Sequence, residues 1–312
     1  VKVLVSGASG LVGRALVQSL RRQGHQVRCL RRGSAGGGDV AWDPEVGALD
    51  PGALEGLDGV VHLAGENIAA GRWTPTRKAR ILSSRVQGTG LLAQTLARLA
   101  QPPSVLVCAS AVGYYGDRGG EELTEASPPG QGFLAQVCRA WEEAAAPARA
   151  AGIRAAHLRF GMVLSARGGA LSRMLLPFRL GLGGRMGSGK QWMSWICLED
   201  AVRAILHLLE HPDLSGPFNA VSPHPCTNAE FARTLGKVLR RPALFPAPAW
   251  ALRLALGEMA EELLLSSARA LPVRLLESGF RFEHPELEKA LRHLLGRGIE
   301  GEDPSSAQEQ SP

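Results

Sequence analysis

The 312-residue chain is 45% hydrophobic and 21% charged with a net charge of +6, which suits a soluble globular protein of one large domain, or one large and one small. No apolar run reaches the roughly 18–20 residues that span a bilayer. That leaves no membrane partner expected, and the basic residues, nearly all Arg with five Lys, are dispersed without an RNA-binding signature, so nucleic acid is not expected either. Five scattered cysteines (Cys29, Cys108, Cys138, Cys197, Cys226) with no CxxC exclude a disulfide framework and a zinc site. With a first strand that leaves no room for a signal segment, they point to the reducing cytoplasm.

A short apolar run from Val1 reads as a buried parallel strand and ends in Gly7-x-x-Gly10-x-x-Gly13, after which Leu11, Ala15, Leu16 and Leu20 fall at helical spacing. Gly7 permits a tight turn, Gly10 lets backbone approach a pyrophosphate, and Gly13 lets helix sit close to strand. The free N–H groups and positive dipole end of that helix suit the pyrophosphate. Dinucleotide binding is the expected function of this turn; a glycine-rich turn in an empty α/β fold is the alternative. A second strand, 26–32, ends in Arg31 and Arg32, and the next acid is Asp39. An NAD site places Asp or Glu there for the ribose 2′-hydroxyl, whereas Arg can make paired charge-assisted bonds to a 2′-phosphate. NADP(H) is therefore favoured over NAD, unless the two arginines merely decorate a loop.

Strand and helix patterns go on alternating, the signature of a Rossmann-type, doubly wound parallel sheet over residues 1–165. Strands are expected near 40–42, 59–62, 104–110 and 154–160, and helices over 78–99 and 133–151. The segments 7–13, 63–65, 110–115 and 160–162 all fall at carboxyl ends of strands, where such sheets bind ligands. Residues 166–298 form a smaller, mostly helical substrate region. It opens with a loop-rich stretch rich in glycine, followed by a helix over 198–209 and a further sheet strand near 217–221. Thr227 or Asn228 caps a helix over 229–239, prolines at 242, 246, 248 and 272 break the remainder, and 280–282 forms a small strand. The polar tail, 299–312, is expected to be disordered.

The glycine fingerprint, His62-Leu-Ala-Gly-Glu66 and Ser110–Tyr115 together resemble the extended short-chain dehydrogenase/reductases, the NAD(P)-dependent epimerase/dehydratase superfamily. Trp42-Asp-Pro44, Gly113-Tyr-Tyr-Gly116, Gly187-Ser-Gly-Lys-Gln-Trp192 and Ser194-Trp-Ile196 narrow the resemblance. They are similar to an atypical, epimerase-like oxidoreductase family with a small C-terminal domain of undefined function, here about 240–296. The resemblance implies pyrophosphate contacts from Gly7, Ser9, Gly10, Leu11 and Val12, and adenosine-phosphate contacts from Arg31 and Arg32. It also implies that Leu63, Ala64 and Gly65 flank the ribose, that Glu66 and Arg85 lie nearby, and that the Met162 backbone approaches the nicotinamide amide. For Glu66 and Arg85 an ordinary surface ion pair is the alternative.

The superfamily works with a YxxxK pair whose Lys brings a phenol from about pKa 10 toward neutrality. At those positions this chain has Phe133 and Val137. Two readings follow. In one, chemistry persists with Ser110 orienting a carbonyl, Tyr115 (or Tyr114) supplying the proton and Lys190 the cation; a packed loop aromatic is the alternative for the tyrosines. In the other, the protein holds NADPH without chemistry, as a regulator or redox sensor. Cys197 stands where the family has His, and His62 is expected to be packed rather than catalytic. Trp73, Trp192, Trp195 and Met193 line a substrate pocket or pack an interface. The expected function is an NADP-dependent oxidoreductase acting on a small-molecule substrate, with a homodimer left open.

Overall fold

The computed structural model describes residues 1–33 and 35–297. At its centre is an eight-stranded sheet in the order Gly216–Ala220, Arg154–Phe160, Val105–Ala111, Gly59–His62, Lys2–Ser6, Gln26–Arg32, Val40–Asp43 and Ala48–Leu49. All neighbours run parallel except the last pair, where Trp42 faces Leu49 in an antiparallel register. Lys2–Ser6 lies between the second strand and Gly59–His62. The crossovers on either side of it therefore leave in opposite directions and open a crevice at its carboxyl end.

Both faces of the sheet are covered, which is why its strands read as near-continuous apolar runs. Val3, Val5, Val61 and Val107 face a layer formed by helices Leu11–Arg22 and Leu198–Glu210. Leu4, Val60 and Leu106 face the opposite layer, where Pro75–Leu96 and Ala146–Ala150 pack. A third core joins helices Gly169–Arg179, Asn228–Leu239 and Leu287–Leu294 through Leu171, Leu175, Phe231, Leu235 and Leu291.

Several local expectations are corrected. The helix expected over 133–151 divides into Phe133–Glu143 and Ala146–Ala150. Pro147 has no N–H to continue the ladder and its ring crowds the carbonyl four residues back, so it is accommodated only in a new first turn. The stretch expected to be loop-rich holds the helix Gly169–Arg179, whose buried Leu171, Leu175 and Phe178 fall at helical spacing between flanking glycines. Thr227, not Asn228, caps the next helix through a reciprocal box with Glu230, while Asn228 is buried and accepts a bond from Met186 N at 2.7 Å. No strand forms at 280–282; Phe280 instead packs edge-on against His207 and Phe282. The tail expected to be disordered, 299–312, lies outside the described residues.

Candidate functional site

The crevice is built by glycines that admit no side chain. Gly7 has φ +68°, and a Cβ there would stand 2.7 Å from the Leu63 carbonyl carbon. A Cβ on Gly13 would lie 2.2 Å from Gly7 O, so helix Leu11–Arg22 packs directly on the turn, as the motif requires. Gly10 is the N-cap and offers no side chain of its own, leaving the first-turn N–H groups of Leu11 and Val12 without intrahelical partners. Ser9 and Gly10 are exposed, and Arg14 Nε braces the turn through Ser9 O at 2.7 Å. The cradle fits a pyrophosphate.

One serine pins the opposite wall. Ser6 Oγ accepts from Leu63 N at 3.1 Å and Ala64 N at 3.2 Å, which directs its own proton to His62 Nδ1, 2.6 Å away. By that network the His62 proton sits on Nε2. The ring is fully buried and edge-on to Trp42 at 5.9 Å, and burial depresses its pKa to about 4. His62 is thus a neutral packed group, as expected.

Arg31 and Arg32 leave the second strand exposed. Arg31 Nε is held by Asp39 Oδ2, and Asp39 Oδ1 also accepts from Cys29 N at 2.9 Å. The acid that could have read a ribose 2′-hydroxyl is thereby committed to orienting an arginine. Glu66 and Arg85 do not pair with each other. The Glu66 carboxylate lies 3.6 Å from both Arg77 and Arg80. Arg85 donates to Ile81 O at 3.1 Å, stacks 4.8 Å from the Trp141 ring and lies directly beneath Gly65. Burial lowers its pKa. Of the Met162 backbone, the N–H is taken by Ser194 O at 2.8 Å.

Of the three residues expected to act in catalysis, the fold links Ser110 and Tyr115 and leaves Lys190 apart. Tyr115 is fully buried; its hydroxyl accepts from Arg159 Nη1 at 3.0 Å and lies 2.7 Å from Asn219 Oδ1 and 3.0 Å from Thr124 O. Burial pushes the phenol up to about 12, the wrong direction for a proton donor near neutrality. Ser110 Oγ donates to Glu142 Oε1 at 2.7 Å, and Glu142 is itself held by two bonds from Arg159, at 2.8 and 2.9 Å. Arg159 lies over the Tyr114 ring at 3.5 Å. These groups form one internal network, whereas Lys190 is exposed on its loop. The indoles also serve packing: Trp195 is fully buried with Nε1 on His224 O, and Trp73 bonds Ile68 O and meets Phe133 edge-on at 5.2 Å. Trp192, half-buried, carries Arg269 at 4.4 Å, and Met193 Sδ accepts from Asn228.

Polar groups reach Phe133 from distant segments that sequence spacing did not flag. Glu262 caps the helix through Phe133 N at 2.7 Å and Leu134 N at 2.8 Å, against Gly132 at φ +100°. Lys78 Nζ lies 4.5 Å from the Phe133 ring and pairs with Glu258 at 2.7 Å.

All five cysteines are buried free thiols. Burial raises each, with Cys108, Cys138 and Cys226 pushed up to about 12. Thiolate, the reactive form, is therefore scarce at neutral pH. In the native protein at pH 8 all five should resist an aromatic disulfide reagent that titrates them readily after denaturation. Rapid labelling of even one would show an accessible thiolate and reopen thiol chemistry.

A model of the NAD dependent epimerase/dehydratase family matches residues 3–221, and one of a domain of unknown function (DUF1731) matches residues 247–294. The epimerase family protein Mb2239 of Mycobacterium bovis is 44% identical over 296 residues, covering 95% of this chain and 98% of that protein. The human epimerase family protein SDR39U1 is 38% identical over 297 residues, 94% of this chain and 99% of the relative. A crystal structure of human SDR39U1 (isoform 2) with NADPH superposes with TM-score 0.87 at 38% identity, covering 95% of this chain and 99% of that one. UDP-glucose 4-epimerase from Thermus thermophilus, in complex with NAD, shares the fold at 19% identity with TM-score 0.71, over 95% of this chain and 99% of that one.

Proposed function

This chain belongs to the NAD-dependent epimerase/dehydratase family, and on that footing we propose that it is an NADP(H)-dependent oxidoreductase with a small-molecule substrate. The observation that carries this reading is the joint geometry of the crevice: an open glycine cradle on one side, and Arg31 held by Asp39 at its far end. Gly7, Ser9, Gly10, Leu11 and Val12 would hold the pyrophosphate, Arg31 and Arg32 the 2′-phosphate, and Leu63, Ala64, Gly65 and Arg85 the wall beside the ribose. The bound nicotinamide supplies hydride chemistry; the chain positions it and excludes water. The NADPH in the human relative's crystal structure supports the cofactor assignment. The proposal keeps the cofactor unit at 1–165 and the substrate region at 166–298. Ser110 and Tyr115 support the site from behind, as members of the buried network.

A second reading, a non-catalytic holder of NADPH, is favoured by one observation: Phe133 and Val137 are apolar and packed, and Tyr115 is locked away from the crevice. Fluorescence titration followed by single-turnover oxidation against a carbonyl panel separates the two. NADPH oxidation by any carbonyl supports the enzyme; tight binding with no oxidation across the panel favours the holder. Replacing Arg31 and Arg32 by Ser should weaken NADPH roughly 10- to 100-fold, the loss of one or two charge-assisted bonds, and leave NADH nearly unchanged. Equal losses for both cofactors would remove the 2′-phosphate assignment.

A further inference from the structure

The chain has no Asp or Glu between Glu143 and Glu199, and none between Glu230 and Glu258. The structure joins these two acid-free stretches along one line. Arg241 Nε donates to Arg179 O at 3.1 Å, Phe245 N to Gly183 O at 3.2 Å, Ala247 N to Arg185 O at 2.9 Å and Gly187 N to Ala247 O at 2.8 Å. Along that seam stand large apolar side chains, each more than half exposed: Leu176, Leu180 and Leu182 from the first stretch, and Leu244, Phe245, Trp250 and Leu254 from the second. They are seven of the nine such side chains among the described residues, so the exposed apolar surface is concentrated rather than scattered. Helix Ala249–Leu256 buries none of its residues, and Trp250 and Leu254 lie one turn apart on it. Arg179, Arg185 and Arg241 are exposed beside them. The acids that follow, Glu258 and Glu261, are held by Lys78 and Arg253.

We propose that this face docks onto the surface of a negatively charged lipid bilayer. Charge complementarity selects that occupant. Trp, Phe and Leu suit the boundary between headgroups and acyl chains, while the arginines of the two acid-free stretches suit the lipid phosphates around them. A second copy seated on the same face would set one arginine rim against another in a two-fold contact, which like-charge repulsion opposes. No helix among the described residues is long and apolar enough to cross a membrane, but surface docking needs none. The expectation of no membrane partner rested on the lack of a spanning apolar run, which docking at a surface does not require.

The test is flotation of the full chain with phosphatidylcholine vesicles, with and without phosphatidylserine, at low and high salt. The protein should float only with the anionic vesicles, and less at high salt. Trp250→Ser with Leu254→Ser should lower the partition about tenfold or more. The melting transition of that variant should match the parent's, since the helix buries no side chain. Failure to float with phosphatidylserine overturns the proposal, as does flotation undiminished in the double variant. A parent that does not float but forms a dimer by light scattering, which the variant dissociates, assigns the face to a second copy and likewise overturns it. None of these readouts depends on NADPH, so the proposal stands or falls separately from the cofactor assignment.

Discussion

Replacing Arg159 by Met should destabilise the protein by about 3–5 kcal/mol, because it leaves the Glu142 carboxylate buried without its cation. Arg159 is 3% exposed and Glu142 14%, and the guanidinium binds both carboxylate oxygens, at 2.8 and 2.9 Å. The same guanidinium bonds the Tyr115 hydroxyl and covers the Tyr114 ring, so the loss spreads to the loop that follows strand Val105–Ala111. Urea unfolding measures the effect. The double variant Arg159→Met, Glu142→Leu should recover much of the loss, since an apolar pair no longer strands a charge. A single-variant cost below about 1 kcal/mol, the range of exposed pairs, would show that the network does not hold this region together.

Acid should destabilise the fold well before its carboxylates protonate. His62 and His157 are buried, and burial depresses each to about 4 from an ordinary value of 6.5. The unfolded chain binds these two protons below about pH 6.5, whereas the native state refuses them until about pH 4. Their contribution is therefore fully present above pH 6.5 and is lost as pH falls toward 4, by roughly 3 kcal/mol for each ring. The melting temperature should drop on the order of 10 °C across that window. His62→Asn keeps an acceptor for Ser6 at the place of Nδ1. His157→Gln keeps a group at the place of Nε2, which lies 3.4 Å from Arg149. The double variant should flatten the profile. A parent profile already flat from pH 7 to 4.5, or a double variant as acid-sensitive as the parent, would count against neutral buried rings.

The glycine turn and the parallel sheet were legible in the sequence because their causes are local. Gly7 and Gly13 are required by contacts within one strand–turn–helix unit, and a strand buried on both faces must be apolar along its length. Strand Arg154–Phe160 falls where its pattern placed it. The helix break at Pro147 and the helix Gly169–Arg179 also carried local signals, in a missing N–H and in apolar residues at helical spacing.

The roles of polar residues were not legible, because each depends on partners far away in the chain. Tyr115 looked available beside two glycines, yet its hydroxyl bonds Asn219, 104 residues on. Glu66 and Arg85 were open to two readings, beside the ribose or as an ion pair, and helix Pro75–Leu96 turns Arg85 inward under Gly65 and leaves Glu66 to Arg77 and Arg80. Glu262 reaches the Phe133 amide across 129 residues. By itself the sequence determined the cofactor cradle, the strand runs and the choice of arginine over acid at the end of the second strand, since periodicity and residue type suffice for these. Only the tertiary structure decided which ionisable groups face the crevice, which are sealed in the core, and that two acid-free stretches form one apolar, cationic face. Hydrogen bonds and burial are set by neighbours in space, and spacing along a chain does not encode them.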